Sequence, residues 1–309
     1  MRALVTGASG FVGRHLIAAL AREGAAVMAC GGPNERAEGF VPLDLGDPAA
    51  IGAALEAFAP TVVFHLAALS FVPDSLAAPM QTYDVNAMGT ARLAHAVRSC
   101  SSPPRILFTS SAEVYGRRDV RELPLGETLD LRPVNPYGAS KAAAEAILLG
   151  ESRGLGLDVV IARAFNHIGP GQSERFVTAS LAAQLARIAA GGLPKLAVGN
   201  LEAARDFLDV RDVVAAYLAL ARDGARGDIY NVCSGKAVKI RDVLRELILI
   251  ARVPVEVVED SSLVRPGETA LSVGNAEKLR TQTGWSPQIA LVRSLRDVYE
   301  DAVAREIAR

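Results

Sequence analysis

Cysteine is scarce in this sequence, and the positions of the few cysteines argue against several kinds of site. The 309 residues include three, Cys30, Cys100 and Cys233, which are far apart and odd in number. Disulfide frameworks and zinc-binding groups use even or closely spaced sets of cysteines. We therefore expect reduced thiols and no metal site.

An excess of positive charge and long apolar runs are also lacking. The formal net charge is −1, whereas proteins that bind nucleic acid usually carry a basic excess. The apolar runs are far shorter than the roughly 20 residues of a membrane span, and the chain opens directly on a strand pattern without a leader-like segment. We expect a cytoplasmic protein that binds neither nucleic acid nor membrane.

Hydrophobic residues make up half of the chain, and over the first 165 residues they alternate between two patterns. Short apolar runs rich in Val, Ile, Leu and Phe, such as "ALVTG", "AVMAC" and "RILFTSS", are typical of buried strands. Segments with helical spacing, such as "FVGRHLIAALAREG", separate these runs. The alternation predicts an α/β fold, a Rossmann-like doubly wound parallel sheet covered on both faces.

The alternation changes after Asn166, which predicts a second, smaller lobe. A loop rich in glycine and polar residues follows, and strand–helix–strand spacing returns at "DFLDVRDVVAAYLALA" and "GDIYNVCSG". We expect a dinucleotide-binding Rossmann domain made of residues 1–165 and about 205–235. Residues about 166–204 and 236–309 would form a discontinuous α/β substrate lobe.

The first strand pattern leads into a glycine-rich turn, "VTGASGFVG". Gly7, Gly10 and Gly13 have G-x-x-G-x-x-G spacing, at the point where a helix pattern begins. Glycines there permit a tight turn and a close approach of backbone to a pyrophosphate, which the N–H groups of the helix N-terminus attract. The turn therefore predicts a dinucleotide site.

The end of the second strand pattern bears on which dinucleotide is bound. NAD sites tend to place an acid at that strand end, to hold the ribose hydroxyls. Here the segment reads "VMACGGPNER", with no acid at the tip and with Arg36 close behind. We favour NADP(H), with NAD(H) possible, and Asp44 is placed to accept from the adenine amino group.

A tyrosine and a lysine stand one helical turn apart in "NPYGASK". Asn135 is suited to cap a helix whose first turn carries Pro136, so Tyr137 and Lys141 would share one face. The lysine is expected to lower the pKa of the phenol and to make it a usable acid/base. Ser111, at the end of the preceding strand, would bond a carbonyl undergoing reduction.

These motifs together resemble those of the extended short-chain dehydrogenase/reductase family, in its nucleotide-sugar branch. The resemblance covers nearly the whole chain and includes "HLAA" (65–68), "NAMGT" (86–90), "SSAEVYG" (110–116) and "RDFLDVRD" (205–212). It implies hydride transfer at a sugar carbon of a nucleoside-diphosphate sugar. It also implies that Asn86 holds backbone geometry through its amide. His65 lies at a strand end, where we expect a positional rather than a catalytic role.

The segments "FNHIGPGQ", "VGNLEAARDF", "YNVCSG" and "RPGE" resemble most those of the family's reductases of GDP-4-keto-6-deoxy-mannose, which form GDP-D-rhamnose. Through this resemblance, Asn166, Asn200 and Arg205 are expected at the GDP-sugar, with Arg205 and Arg265 clamping the diphosphate and Glu268 accepting from the nucleoside ribose. The remaining expected substrate contacts are Ser70, Ser111, Glu113 and Val177. The expected cofactor contacts, besides the glycines, Arg36, Asp44, Tyr137 and Lys141, are Phe11, Val12, Leu45, Leu66, Ala67 and Ala68.

The role of Glu113 distinguishes two possible reactions of this fold, dehydration and reduction. A 4,6-dehydratase needs an acid/base besides the tyrosine, and in dehydratases of the family an acid pair or a Ser–Glu pair follows the catalytic Ser or Thr. The corresponding pair here is Ala112 and Glu113, so half of that arrangement is missing. We therefore favour a reductase, in which Glu113 is a residual or orienting carboxylate.

Alternatives are a GDP-mannose 4,6-dehydratase, a 4-epimerase and, more remotely, a dinucleotide-binding protein without activity. That last class should have lost the tyrosine or the lysine, and both are present. The family resemblance also implies a homodimer, in which residues 81–99 and 137–153 of each partner form a four-helix bundle.

Overall fold

A parallel sheet forms the centre of the computed structural model, which describes residues 1–263 and 269–308. In those residues the central sheet has seven strands in the order β3-β2-β1-β4-β5-β6-β10, and every neighbouring pair is parallel. The predicted doubly wound sheet is confirmed. Its strands are β1 (Arg2–Thr6), β2 (Ala26–Gly31), β3 (Val41–Pro42), β4 (Val62–His65), β5 (Arg105–Ser111), β6 (Val159–Ala164) and β10 (Asp228–Val232).

Helices cover both faces of this sheet, because the strands are apolar on both sides. All six residues of β6 are buried, and one apolar cluster packs on each face. These helices are α1 (Phe11–Arg22), α2 (Pro48–Phe58), α5 (Gly89–Arg98), α6 (Pro136–Leu155), α8 (Val210–Asp223) and α10 (Glu277–Thr283), and the short helices α3 (Val72–Ala77) and α4 (Pro79–Tyr83) pack against α6.

The segment predicted as one helix at 81–99 is interrupted. A π-helical turn, Asp84–Met88, lies between α4 and α5. Asn86 lies in this turn, and its amide bonds both backbone groups of Leu69: Oδ1 accepts from the N–H at 2.8 Å, and Nδ2 donates to the C=O at 3.1 Å. This contact spans 17 residues of sequence, so helical periodicity could not reveal it.

A third apolar cluster, separate from the two on the central sheet, supports the smaller sheets. Strand β9 (Ala204–Asp209) pairs with β7 (Asn166–Ile168), β11 (Ala237–Lys239) and β13 (Leu271–Ser272), and not with the central sheet. Residues 204–209 thus lie in the smaller sheet, while α8 and β10 return to the large one. The remaining elements are α7 (Val177–Ala189), β8 (Lys195–Val198), α9 (Ile240–Ala251), β12 (Glu256–Glu259) and α11 (Leu291–Ile307).

Short 3₁₀ turns complete the described chain, at Ala112–Tyr115, Val120–Glu122 and Ser261–Leu263. In the described residues, no helix is both long and apolar enough to cross a membrane. The exact division of the chain into two lobes stays a prediction.

Candidate active site

Tyr137 lies in the first turn of α6, where the predicted cap forms. Asn135 Oδ1 accepts from the N–H of Gly138 at 2.7 Å, and Pro136 occupies the first helical position. A proline is tolerated there because that position needs no intrahelical N–H bond. This cap fixes the start of the helix and hence the place of the phenol, which is 9% exposed.

Ser111 meets Tyr137 at the carboxyl end of β5. The two side chains are hydrogen-bonded, and the Ser111 hydroxyl also accepts from the N–H of Glu113 at 3.2 Å. Active sites of open α/β sheets lie at the carboxyl ends of their strands, where these hydroxyls meet. The structure therefore brings Ser111 and Tyr137 together, and the bond predicted from Ser111 to a substrate carbonyl stays a prediction.

Lys141 lies one turn further along α6 and is almost fully buried. Its ammonium donates to the backbone C=O of Thr109 at 2.8 Å and lies 4.7 Å from the ring centroid of Phe108. Burial lowers the pKa of Lys141 to about 7, although the charge of Glu145 acts in the raising direction. The lysine is thus held in place by a carbonyl dipole and an aromatic face.

The pKa of Tyr137 is raised in the structure, whereas the spacing of Tyr137 and Lys141 predicted a lowered value. Burial raises the pKa of Tyr137 to about 12; the bond with Ser111 lowers it and the charge of Glu113 raises it. The desolvation cost of a phenolate therefore prevails, and the Lys141 ammonium bonds Thr109. At neutral pH the phenol is protonated, which is the form that donates a proton.

A buried ion pair lies behind the lysine. Glu145 follows Lys141 by one turn of α6 and binds Arg163 of β6, with Oε2 2.7 Å from Nη2. Ser110 donates to Glu145 at 2.5 Å, and Arg163 also donates to the Tyr115 hydroxyl at 2.9 Å. Tyr115 is therefore a packed structural residue.

Glu113 bonds the residue that caps the catalytic helix. Asn135 Nδ2 donates to Glu113 Oε2 at 2.8 Å, while Asn135 Oδ1 caps Gly138. The carboxylate thus orients the cap of α6. This contact fits the orienting role predicted for Glu113.

The glycine-rich turn fits a dinucleotide pyrophosphate. Gly7 has a φ of +68°, and a Cβ there would lie 2.7 Å from the backbone N of Ala67. A Cβ at Gly13 would lie 2.4 Å from the C=O of Gly7. Among the described residues no side chain caps α1 at Gly10, so the N–H groups at Phe11 and Val12 are suited to an anion.

The tip of β2 carries an acid that the sequence analysis missed. Glu35 lies against Gly31, where a Cβ would be 2.9 Å from Glu35 Oε2, and its side chain bonds Ser9 of the glycine-rich turn. The bond to the N–H of Ala37 is the largest cause lowering the pKa of Glu35, followed by the Ser9 bond. No strand pattern predicts a loop side chain folding back over its own strand.

The other expected adenosine-side residues lie near this tip. Arg36 and Asp44 are exposed, and Asp44 Oδ1 accepts from the N–H of Gly46 at 2.7 Å. Leu45 is buried, and Leu66, Ala67 and Ala68 follow β4 beside the glycine-rich turn.

Asn166 and Arg205 lie on paired strands of the smaller sheet. Asn166 is in register with Phe207 of β9, two residues beyond Arg205, so Asn166 and Arg205 share a face. Next to Arg205, the buried Asp206 accepts from the N–H groups of Ser234, Gly235 and Gly274 at 2.7, 2.9 and 3.2 Å. Asp206 thereby fixes β9 and with it the position of Arg205.

Two loops that carry expected substrate residues touch each other. Arg175 is 2.5 Å from Asp74 and lies over the ring of Phe71, while Phe176 packs edge-on against Phe71. These contacts link the segment after exposed Ser70 to the start of α7 at Val177. Asn200 is exposed at the end of β8, whereas Arg265 and Glu268 lie outside the described residues.

In the described residues, no group of three or more His, Cys, Asp or Glu side chains is placed to hold a metal ion. The cysteines are free thiols.

Known proteins share this architecture over nearly the whole chain. Residues 4–298 match the family model described as GDP-mannose 4,6 dehydratase. The GDP-6-deoxy-D-mannose reductase of Pseudomonas aeruginosa is 40% identical over 305 residues, which cover 98% of each chain. The structure of RMD from Pseudomonas aeruginosa complexed with NADPH has a TM-score of 0.89 and 39% identity, covering 99% of this chain and 100% of that one. Thermus thermophilus UDP-glucose 4-epimerase, in complex with NAD, has a TM-score of 0.87 and 30% identity, covering 98% and 99%.

The buried ammonium gives a testable dependence of stability on pH. The ordinary pKa of a lysine is 10.5 and that of Lys141 in the folded protein is about 7, so the unfolded chain binds the extra proton between these values. The free energy of unfolding should therefore rise with pH across this window, by about 1 kcal/mol per pH unit from this group. Denaturant unfolding at pH 7 and pH 8.5 measures the rise.

Lys141→Met should remove the contribution of this lysine to the rise of the free energy of unfolding with pH. Lys239→Met should keep the rise, because Lys239 lies at the surface and pairs with Glu202. Equal pH slopes for wild type and Lys141→Met would show that the lysine is not buried as a perturbed ammonium.

Proposed function

We propose, from the premise that this chain belongs to the GDP-mannose 4,6 dehydratase family, that it reduces the C4 ketone of a GDP-4-keto-6-deoxy-hexose with a nicotinamide cofactor. The resemblance predicted from the sequence is confirmed. With the manno-configured substrate the product is GDP-D-rhamnose. The observation that carries the proposal is the protonated phenol of Tyr137, which is bonded to Ser111 at the strand ends. The neighbouring carboxylate of Glu113 is bonded to Asn135, the residue that caps α6.

Each catalytic side chain has one task in this reaction. NADPH, when bound, supplies the hydride that adds to C4. Ser111 donates a hydrogen bond to the ketone oxygen, and Tyr137 gives that oxygen its phenolic proton as the C=O π bond breaks. Lys141 stabilises the tyrosinate that remains, and water then returns the proton to it. A reduction needs no second acid or base.

Strands β7 and β9 of the smaller sheet carry two residues that we propose bind the diphosphate of the nucleotide. Asn166 and Arg205 share a face of that sheet, and an arginine fork is suited to diphosphate oxygens. Ser70, Val177 and Asn200 are proposed as further substrate contacts from loops and a helix start. Arg265 and Glu268 are proposed on the resemblance alone.

The decisive assay follows NADPH absorbance with GDP-4-keto-6-deoxy-mannose, and with GDP-mannose in a parallel sample. Absorbance should fall only with the keto sugar.

Tyr137→Phe should lower kcat by roughly 10²- to 10⁴-fold, the usual size of a general acid's contribution, while Tyr299→Phe on α11 should not. Glu113→Gln keeps an acceptor for Asn135 and should leave kcat within about threefold.

Conversion of GDP-mannose to the keto sugar without net loss of NADPH would contradict the reductase. In that case Glu113→Gln should abolish the conversion, because a dehydratase needs that acid/base.

We propose further that Glu35 moderates the preference for NADP(H) over NAD(H). Its carboxylate lies beside Gly31 and Ser9, where the adenosine ribose of a bound dinucleotide belongs. A carboxylate there accepts from ribose hydroxyls but repels a 2′-phosphate, which exposed Arg36 attracts. The relatives bound to NADPH and to NAD support use of both cofactors, with NADP(H) favoured.

Glu35→Gln should therefore lower the Kd of NADPH relative to that of NADH, by roughly fivefold since exposed charges are partly screened. Isothermal titration calorimetry measures both constants, and Glu38→Gln in the same loop serves as the control. An unchanged ratio of the two constants would place Glu35 outside the ribose site.

The proposed assembly is a homodimer through α5 and α6. The outward side of α6 carries small residues, Ala143, Ala146 and Gly150, which permit close helix packing. Light scattering should give twice the 32.5 kDa of one chain, and Ala146→Arg should halve that mass while Leu193→Arg, at a distant exposed site, should not. A monomeric wild type would contradict the dimer.

A cytoplasmic location is also proposed, on the cofactor and the free thiols, and cell fractionation tests it.

A further inference from the structure

A fully buried histidine at the end of β4, His65, links the end of β1, just before the glycine-rich turn, to helix α5. His65 Nδ1 is 2.7 Å from Thr6 Oγ1, and its Nε2 is 2.9 Å from Thr90 Oγ1. Burial, and then the charge of Lys141, lower the pKa of His65 to about 3, so the ring is neutral. A neutral imidazole carries one N–H, on either of its two nitrogens.

The two threonines decide which nitrogen carries that proton. Thr90 Oγ1 lies 2.6 Å from the backbone C=O of Asn86, which can only accept, so the hydroxyl donates there. The same oxygen must then accept from His65, which places the ring proton on Nε2. Nδ1 is left to accept from the Thr6 hydroxyl, whose oxygen accepts from the N–H of Ala67 at 3.3 Å.

Asn86 carries the bonds onward to the catalytic helix. Its Nδ2 donates to Ser140 Oγ at 2.9 Å, and the Ser140 hydroxyl donates to the backbone C=O of Tyr137 at 2.7 Å. Along the chain of hydrogen bonds from the N–H of Ala67 to the C=O of Tyr137, each donor donates toward the Tyr137 end. The five linking side chains are at most 2% exposed, so water does not compete for these bonds: Thr6, His65, Asn86, Thr90 and Ser140.

We propose that His65 is a positioning residue, whose Nε2–H tautomer holds the glycine-rich turn and the Leu66–Ala68 segment in register with Tyr137. The inference rests on the proposed function, since hydride and proton must reach the same carbonyl group. The chain of bonds crosses β1, β4, α5 and α6, and so joins the dinucleotide side of the site to the proton donor. A misplacement of about 1 Å between them costs roughly a hundredfold in rate.

Thr90→Val tests the link, because it keeps the side-chain shape but leaves His65 Nε2–H without its acceptor. We expect kcat to fall at least tenfold, with the KM for the keto sugar and the Kd for NADPH changed less than about threefold, since alignment rather than binding is lost. Thr90→Ser restores a hydroxyl and should recover kcat.

Thr82→Val is the matched control. Thr82 is also 1% exposed, and its hydroxyl donates to the C=O four residues earlier, Ala78, at 3.1 Å, as that of Thr90 does to Asn86. It should lose comparable stability but keep kcat. An equal loss of kcat in both valine variants, or none in Thr90→Val, would reduce the threonine to a structural role and overturn the proposal.

Nitrogen-15 NMR of the histidine rings supplies a readout independent of turnover. His65 should show the neutral Nε2–H tautomer at every pH from 5 to 9, and Thr90→Val should mix the two tautomers. An Nδ1–H tautomer in the wild type overturns the proposal even if Thr90→Val fails to fold. If the wild type does not reduce the keto sugar, the proposed function fails, while the tautomer still tests the chain of bonds.

Discussion

The buried ammonium of Lys141 is the constraint on which the rest of the site depends. Helix α6 carries this charge into the interior, where one carbonyl and one aromatic ring contact it. A buried charge is tolerated only when its surroundings are fixed, because each lost contact leaves its desolvation uncompensated. The rigid parallel sheet below α6, with strands apolar on both faces, provides that fixed environment.

The surrounding charges follow from this constraint. Glu145 stabilises the ammonium from one turn away, while its own charge is compensated by Arg163. On the other side Tyr137 stays neutral, and Glu113 is engaged by the asparagine that caps the helix. The site therefore holds a ready proton donor and a cation to receive the charge left behind, which is the need of a reductase. Burial, and then the charge of Lys141, lower the pKa of His65 and keep its ring neutral, so it is available as an oriented hydrogen-bonding group.

Local patterns in the sequence predicted the parts of this site that local rules govern. The glycine spacing, the Asn-Pro helix start and the Tyr–Lys spacing each depend on a few neighbouring residues, and the structure has all three. The raised pKa of Tyr137 was not predictable, because desolvation depends on packing from distant segments. Glu35 was missed because a loop folds back over its strand, and the chain through His65 joins residues up to 61 positions apart.

The central claim is that hydride passes to C4 while Tyr137 supplies the proton. Incubation of GDP-4-keto-6-deoxy-mannose with NADPH deuterated at the transferring position of the nicotinamide tests it directly, with NMR of the product. We predict one deuterium at C4 of GDP-D-rhamnose and none in the C6 methyl group. Deuterium at C6, or a keto sugar recovered without label, would contradict the account and identify a different reaction at this site.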